Sequence, residues 1–154
     1  WGRGNSWYTV AIMDYIEMVE LDDALKRHFL TVYKNQVKAL KRYADSEEGL
    51  WHTVINDNSS YIELSASAGF LCGMMMGIRK GVISKEEYGE TVQKGLSHLI
   101  SYIDEAGIVK NVSYGTPIGE NAEFYKNIIC CPMTYGQAMM IMALQEAMRY
   151  TAER

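Results

Sequence analysis

The alternation between fully apolar and amphipathic helical segments is the feature of this sequence that most restricts its fold. Only two prolines occur, Pro117 and Pro132, so long helices are permitted upstream of them. The first, third and fifth predicted helices are apolar on most faces, whereas the second and fourth have one apolar and one charged face. This order predicts hairpins whose inner helices are covered on both sides. The five helices fall at about residues 6–19, 23–44, 61–79, 85–104 and 134–152.

Polar residues mark where several of these helices begin. Asn5 or Ser6 can cap the first helix and Asp22 the second, because their side-chain oxygens accept a hydrogen bond from a free backbone N–H group. Residues 60–63 and 84–87 each fit a capping box, in which a serine is followed three positions later by a glutamate. We therefore expect the third and fourth helices to begin directly after these serines.

Three glycines of the third helix lie four residues apart, at Gly69, Gly73 and Gly77. This spacing places them on one face of the helix. Each glycine costs about 1 kcal/mol of helix stability relative to alanine. The stripe therefore indicates a close backbone approach to a neighbouring helix.

A weak internal repeat follows two of the predicted helices. Residues 43–51 and 102–109 both pass from a tyrosine and an aspartate through a glycine to a short apolar run. The glycine can supply a left-handed end to the helix. Hairpins that repeat in this way stack into solenoids or close into toroids, and a repeat of about 60 residues favours an α/α toroid.

Length and charge exclude several classes of protein. The chain has 154 residues, which suits one domain, and its net charge is -4 with no basic run. Binding to nucleic acid or to a membrane surface is therefore not expected. The most apolar stretch, residues 64–78, is short and includes serines and glycines, which indicates a buried helix rather than a membrane span. An anionic ligand would need a local cation, so single arginines gain importance.

The three cysteines, Cys72, Cys130 and Cys131, indicate neither a disulfide framework nor a zinc site. Their number is odd, two are adjacent, and no CxxC motif occurs. The histidines, cysteines and carboxylates do not follow the spacing of metal ligands. We expect inert thiols, no metal and no cofactor.

The first seven residues, Trp-Gly-Arg-Gly-Asn-Ser-Trp, carry the clearest chemical signal. Trp1 and Trp7 flank Arg3 at the mouth of an inner helix, with two glycines to turn the backbone. Aromatic faces can stack on sugars, arginine binds carboxylates with two N–H groups, and a helix N-terminus adds positive partial charge. The alternative is a tryptophan-rich packing corner with a solvated arginine. Asn5 either contacts the sugar or caps the helix.

This heptad resembles the W-x-R-G-N-x-W motif of the unsaturated uronyl and rhamnogalacturonyl hydrolases of glycoside hydrolase families 88 and 105. The fold of these families is an (α/α)6-barrel, a toroid of six hairpins. The resemblance therefore implies that residues 1–154 are the C-terminal half of a single α/α-toroid catalytic domain, with about five helices of the barrel. It continues through residues 49–52, 60–68, 107–109, 111–112, 115–116 and 123–125.

The resemblance implies an unusual glycosidase reaction. These enzymes hydrate the C4–C5 double bond of an unsaturated uronyl sugar left by a polysaccharide lyase, and the resulting hemiketal opens and releases the next sugar. The general acid and base is an Asp that lies upstream of the motif, hence upstream of Trp1, so we assign no catalytic residue and expect this chain alone to be inactive. By motif match, Trp1, Arg3 and Trp7 bind the unsaturated sugar, and Asn5 is a weaker candidate.

The sequence departs from the pattern of the family near its end. Many relatives carry Asp-x-His-Gly where residues 133–136 here read Met-Thr-Tyr-Gly, so contacts to the rest of the oligosaccharide are left open. His52 is a further candidate for sugar binding, with a structural hydrogen bond as the alternative. Glu63 is more readily explained as a cap than as a carboxylate in the cleft, and Tyr114 more readily as loop packing than as a sugar platform.

Two other functions remain as alternatives at this point. One is an α/α-barrel sugar epimerase, which needs histidine proton carriers, and the other is a non-catalytic α-hairpin scaffold. A half-toroid should expose apolar faces, so we expect it to self-associate or to hold its N-terminal half as a partner. The protein is expected to be bacterial, in the cytoplasm or the periplasm.

Overall fold

Six helices form in residues 1–152, the part of the chain that the computed structural model describes. Extended backbone in this part pairs only at isolated bridges, so the predicted all-α class is confirmed. The five long predicted helices are all present, and the short helix α5 was not predicted. The helices are α1 (Gly2–Met18), α2 (Asp23–Tyr43), α3 (Leu64–Arg79), α4 (Lys85–Ser101), α5 (Ala122–Lys126) and α6 (Thr134–Ala152).

Helix α3 lies at the centre of the structure. It packs against α1 on one side and α6 on the other, whereas α2 packs against α1 and α4 against α3. Every residue of α3 from Leu64 to Gly77 is buried. The apolar segments predicted from the sequence are therefore the inner helices (α1, α3, α6), and the amphipathic segments are the outer helices (α2, α4).

The glycine stripe is where α3 meets its neighbours, as predicted. A Cβ atom on Gly69 would lie 2.8 Å from Ser6 Cβ, and one on Gly73 would lie 2.7 Å from the Thr9 backbone oxygen. Tyr33 of α2 reaches the same stripe and donates a hydrogen bond from Oη to the Gly73 carbonyl at 2.7 Å. Any side chain on these glycines would push α1 away from α3.

The internal repeat recurs in the hairpin ends. Asp45 Oδ1 accepts hydrogen bonds from the backbone N–H groups of Glu47 and Glu48 at 2.9 and 2.8 Å, and Asp104 Oδ1 accepts from those of Ala106 and Ile108 at 3.0 and 2.9 Å. Gly49 and Gly107 then adopt φ angles of 67° and 77°, which only glycine tolerates easily. Both turns therefore use the same carboxylate-and-glycine device.

Two predicted helix starts were wrong. Helix α1 begins at Gly2 with Trp1 as its N-cap, so Asn5 and Ser6 lie inside the helix rather than capping it. Its glycines do not form a turn: a Cβ on Gly2 would lie 3.0 Å from Ala66 Cβ, so a glycine allows α1 to approach α3. Packing thus overrides the low helix propensity of glycine.

The start of α3 also differs from the prediction. Glu63, not Ser60, is the N-cap, and its side chain accepts a hydrogen bond from the Ala66 N–H. The predicted caps Asp22 and Ser84 are confirmed, since each accepts a hydrogen bond from a backbone N–H in the first turn.

The two flanking inner helices each leave an apolar face open. Trp7 and Met18 are exposed on α1, and Ile141 and Met148 are exposed on α6. A half-toroid is expected to expose apolar faces, and these two helices do so. The structure is therefore an open segment of a ring. Within residues 1–152, no helix combines the length and the apolar character needed to cross a bilayer.

Candidate functional site

Arg3 lies at the centre of the polar cluster where the N-terminal ends of α1 and α3 meet the segment 111–116. The residue is only 5% exposed. Nη1 donates to Ser113 Oγ at 2.6 Å, to the Ser113 carbonyl at 3.2 Å and to Ser65 Oγ at 3.3 Å, while Nη2 donates to Thr116 Oγ1 at 2.6 Å. The guanidinium is thus fixed inside the protein, and the alternative of a solvated arginine is wrong.

Glu63 balances the charge of Arg3. Its carboxylate is fully buried, and Oε1 lies 3.6 Å from Arg3 Nη1. Oε2 accepts from the Ala66 N–H at 2.6 Å, and Oε1 accepts from the Ser113 N–H at 2.9 Å. Ser65 Oγ donates to both carboxylate oxygens, at 2.8 and 2.9 Å. Because these donors occupy the carboxylate, Glu63 acts as a cap and as the counter-ion of Arg3.

Aromatic rings enclose the guanidinium from two directions. Arg3 Cζ lies 5.2 Å from the centroid of the Trp1 ring and 4.4 Å from that of Tyr135. Both distances are within the range of a cation–π interaction. Burial raises the pKa of the Tyr135 phenol, whose Oη donates to the Ser113 carbonyl. Tyr135 belongs to the stretch where the sequence departs from the family pattern, so this departure falls at the site itself.

Tyr125 extends the aromatic surface. Its ring stacks on Trp1 with centroids 6.4 Å apart and planes 17° from parallel. The helix that carries it is tied down by Lys126, whose Nζ lies 2.5 Å from Asp57 Oδ2. The Lys126 ammonium is the main cause that lowers the pKa of Asp57 to about 2. Trp1 nevertheless remains 38% exposed, so part of the aromatic surface is open to a ligand.

The structure brings together only some of the predicted binding residues. Trp1 and Arg3 are in contact, whereas Trp7 lies on the exposed side of α1 with 44% of its surface open. Asn5 is exposed, and its Nδ2 donates to the Trp1 carbonyl at 2.9 Å. Trp7 and Asn5 therefore border the cluster around Arg3 without joining its hydrogen bonds.

His52 is held in the loop between α2 and α3. Its Nδ1 pairs with the Ser60 carbonyl and its Nε2 lies 3.2 Å from Asp45 Oδ2, and the ring is buried. Burial raises the pKa of Asp45, but the backbone N–H groups of Glu48 and Glu47 and the His52 side chain together hold it below its ordinary value. Both ring nitrogens thus have structural partners, which also weakens the epimerase alternative.

Sequence reasoning missed the residues that hold Arg3 in place but lie far from it in the sequence. Ser113, Thr116 and Tyr135 were not proposed as site residues, although Thr116 lies in a stretch that carries the family resemblance and Tyr135 in the stretch that departs from it. Ser113 lies 110 positions from Arg3, so no local spacing reveals the contact. The burial of residues 112–114 does not alternate either, since Val112 and Ser113 are both buried and only Tyr114 is exposed.

Other reactive groups are not poised for chemistry. Burial raises the pKa of Cys72 to about 12 and that of Cys130 to about 11, so both thiols are protonated at neutral pH. In the described residues, no group of three His, Cys, Asp or Glu side chains is placed to hold a metal ion.

The site therefore places a buried, paired arginine beside a partly open aromatic ring at one end of the inner helices. The family model described as Glycosyl Hydrolase Family 88 matches residues 1–151, and the chain belongs to this family. Its fold is that of part of an (α/α)6-barrel, as the resemblance implied.

Two curated relatives and one solved structure are similar to this chain. The chain is 35% identical over 128 residues to the unsaturated rhamnogalacturonyl hydrolase YesR of Bacillus subtilis, which covers 83% of this chain and 35% of the relative. It is 24% identical over 148 residues to an unsaturated 3S-rhamnoglycuronyl hydrolase of Alteromonas sp., covering 95% and 34%. The structure of a possible member of the GH105 family from Salmonella enterica serovar Paratyphi A matches with a TM-score of 0.92 and 35% identity, over 98% of this chain and 40% of that one.

These matches also show how much of a family member is present. The chain spans about a third of the length of the two curated relatives, 35% and 34%.

Proposed function

We propose that this chain is the sugar-binding C-terminal part of a glycoside hydrolase that acts on oligosaccharides ending in an unsaturated uronyl sugar. The observation that carries the proposal is the stack of Trp1, Arg3 and Tyr135 at the end of the inner helices of a family 88 chain. Both curated relatives are named for unsaturated glycuronyl substrates, which supports this substrate class.

The reaction we propose is the addition of water across the C4–C5 double bond. A proton goes to C4 and the hydroxyl of water to C5, and the resulting hemiketal opens and releases the next sugar. The positive charge that develops at C5 and the ring oxygen is favoured beside an aromatic face. In this chain the open part of the Trp1 ring is the group best placed for that role. The general acid and base is an Asp supplied by the rest of the toroid.

The remaining half of the barrel is the partner that we propose for the open faces of α1 and α6. Trp7 and Met18 on one edge, and Ile141 and Met148 on the other, would become buried when the ring closes. Burial of such side chains contributes about 1.5–3 kcal/mol each, so the complete protein should be much more stable than this segment.

The test is an ultraviolet assay of the complete protein. Hydration removes the conjugated double bond, so the absorbance of an unsaturated rhamnogalacturonan disaccharide should fall with time. An unsaturated glycosaminoglycan disaccharide, assayed in parallel, distinguishes the substrate source. Residues 1–154 alone should leave both absorbances unchanged. If the complete protein also leaves both unchanged, the proposed activity is wrong.

A further inference from the structure

The strongest unexplained feature of the site is the degree to which Ser113 and Glu63 surround Arg3. Every polar atom of Ser113 is engaged: its N–H donates to Glu63 Oε1 at 2.9 Å, its Oγ accepts from Arg3 at 2.6 Å, and its carbonyl accepts from Arg3 at 3.2 Å and from Tyr135. Ser113 Oγ is also within 3.3 Å of Glu63 Oε1. One buried serine thus links the anion, the cation and one of the aromatic rings.

Capping alone does not account for Glu63. Asp22 and Ser84 cap α2 and α4 with a single side-chain hydrogen bond each, at helix ends that are exposed to solvent. Glu63 uses Oε2 for the same purpose, but its Oε1 points to Ser113 and Arg3 instead. This second oxygen lies in a fully buried position, where an unpaired charge would be costly.

We propose that Glu63 is a positioning residue of the sugar-binding site. Through Ser113 it holds the Arg3 guanidinium between the Trp1 and Tyr135 rings, and so it sets the orientation of the aromatic surface that contacts the sugar. The charge of Arg3 is balanced within the protein, and its main task is to orient Trp1. The kinetic test of this inference rests on the proposed function, whereas its structural test does not.

The burial of Arg3 supports this division of roles. The residue is only 5% exposed even in an open segment of the ring, and closing the ring can only cover it further. Trp1 is the partly open member of the stack, so the ligand reaches the ring before the guanidinium. A small displacement of such a contact surface is enough to change substrate binding strongly.

The chain offers a matched control at the other end of α3. Glu146 is also buried, and its Oε1 accepts from Arg79 Nε at 2.6 Å. This pair joins α3 to α6 at the last residue of a 16-residue helix, roughly 24 Å from Glu63 at a rise of 1.5 Å per residue. Glu146→Gln removes a buried charge in the same way, without touching the stack around Trp1.

The experiment compares Glu63→Gln, Glu63→Asp and Glu146→Gln in the complete protein with the unsaturated rhamnogalacturonan disaccharide as the probe. Glu63→Gln should raise KM by about tenfold with kcat nearly unchanged, because sugar binding is weakened in ground and transition state alike. Glu63→Asp keeps the charge and should recover part of the loss. Glu146→Gln should leave both constants at the wild-type values. If Glu63→Gln and Glu146→Gln alter KM equally, or not at all, the positioning role is wrong.

A second readout does not depend on activity. In protein labelled with 5-fluorotryptophan, the resonance assigned to Trp1 through a Trp1→Phe variant should shift in Glu63→Gln and stay in place in Glu146→Gln. If the wild-type protein does not act on the disaccharide, the proposed function fails while this shift still supports the positioning role. If Glu63→Gln does not fold, Ser113→Ala replaces it, with the same expected shift. An unmoved Trp1 resonance in the variant that folds overturns the proposal.

Discussion

A buried carboxylate paired with an arginine lies at each end of α3, but the surroundings of the two pairs differ. At the N-terminal end, Glu63 and Arg3 are enclosed by hydroxyl groups and aromatic rings. At the C-terminal end, Glu146 pairs with Arg79 and also lies 3.6 Å from the exposed Arg149. Similar charge pairs can thus orient a contact surface at one end and connect helices at the other.

The contrast follows from what lies beyond each end. The N-terminal end of α3 faces Ser113 in the segment 111–116 and Tyr135 at the start of α6, whose hydroxyl groups extend the ion pair into a network. The C-terminal end faces α1 and α6, where Lys80 pairs with Glu17 on the surface. Charges close to water are screened and adaptable, whereas enclosed charges have one arrangement.

Arg3→Met is the substitution that should disturb this contrast most. It leaves the Glu63 carboxylate buried without its cation, so the free energy of unfolding of the complete protein should fall by about 3–5 kcal/mol. Urea denaturation followed by circular dichroism measures the change. The double variant Arg3→Met/Glu63→Gln should lose less than the sum of the two single variants, because it removes both charges. A loss below about 1 kcal/mol in Arg3→Met would mean that the pair is not enclosed.

Glu146→Gln should have the next largest effect. It weakens the charged hydrogen bonds from Arg79, which join the carboxylate at 2.6 and 3.4 Å, so unfolding should become easier by about 1.5–3 kcal/mol. The effect should be smaller than that of Arg3→Met because the Arg79 side chain is 17% exposed and water can replace part of the lost interaction. Thermal unfolding gives the measurement. A loss larger than that of Arg3→Met would reverse the ranking of the two ends.

The fold could be predicted from sequence where the signal is local. The caps Asp22 and Ser84 and the glycine stripe of α3 were found because each depends on residues within a few turns of helix. Helix α5 was missed because five residues are too few to show a helical period. The start of α1 was placed too late because its two glycines are poor helix formers, and only their packing makes the helix favourable.

The site was predictable only in part, for the same reason. The heptad motif drew attention to Trp1 and Arg3, which do meet. The partners that define their geometry come from Glu63, Ser113 and Tyr135, and these lie in three separate stretches of the chain. A motif identifies residues of one segment, whereas the environment of a buried charge is formed by every segment that surrounds it.

Asp14→Asn should change the stability of the protein least, and it tests the balance of charge at the C-terminal end of α3. Burial raises the pKa of Asp14, and the nearby Glu17 and Glu146 add to this, while Lys80 and Arg149 oppose it. Since its folded pKa lies above the unfolded value, the protonated form favours folding at acid pH, and this contribution is lost as the pH rises through the folded pKa.

The asparagine variant keeps the neutral form at every pH. Its melting temperature should therefore match that of the wild type below the unfolded pKa of Asp14, and exceed it by a constant margin once the pH lies above the folded pKa. Because Asp14 is only partly buried, the gain should stay below about 0.5 kcal/mol. A variant that melts below the wild type at neutral pH would show that the Asp14 carboxylate is stabilised by its cations. The C-terminal end would then be as fully balanced in charge as the end that holds Arg3.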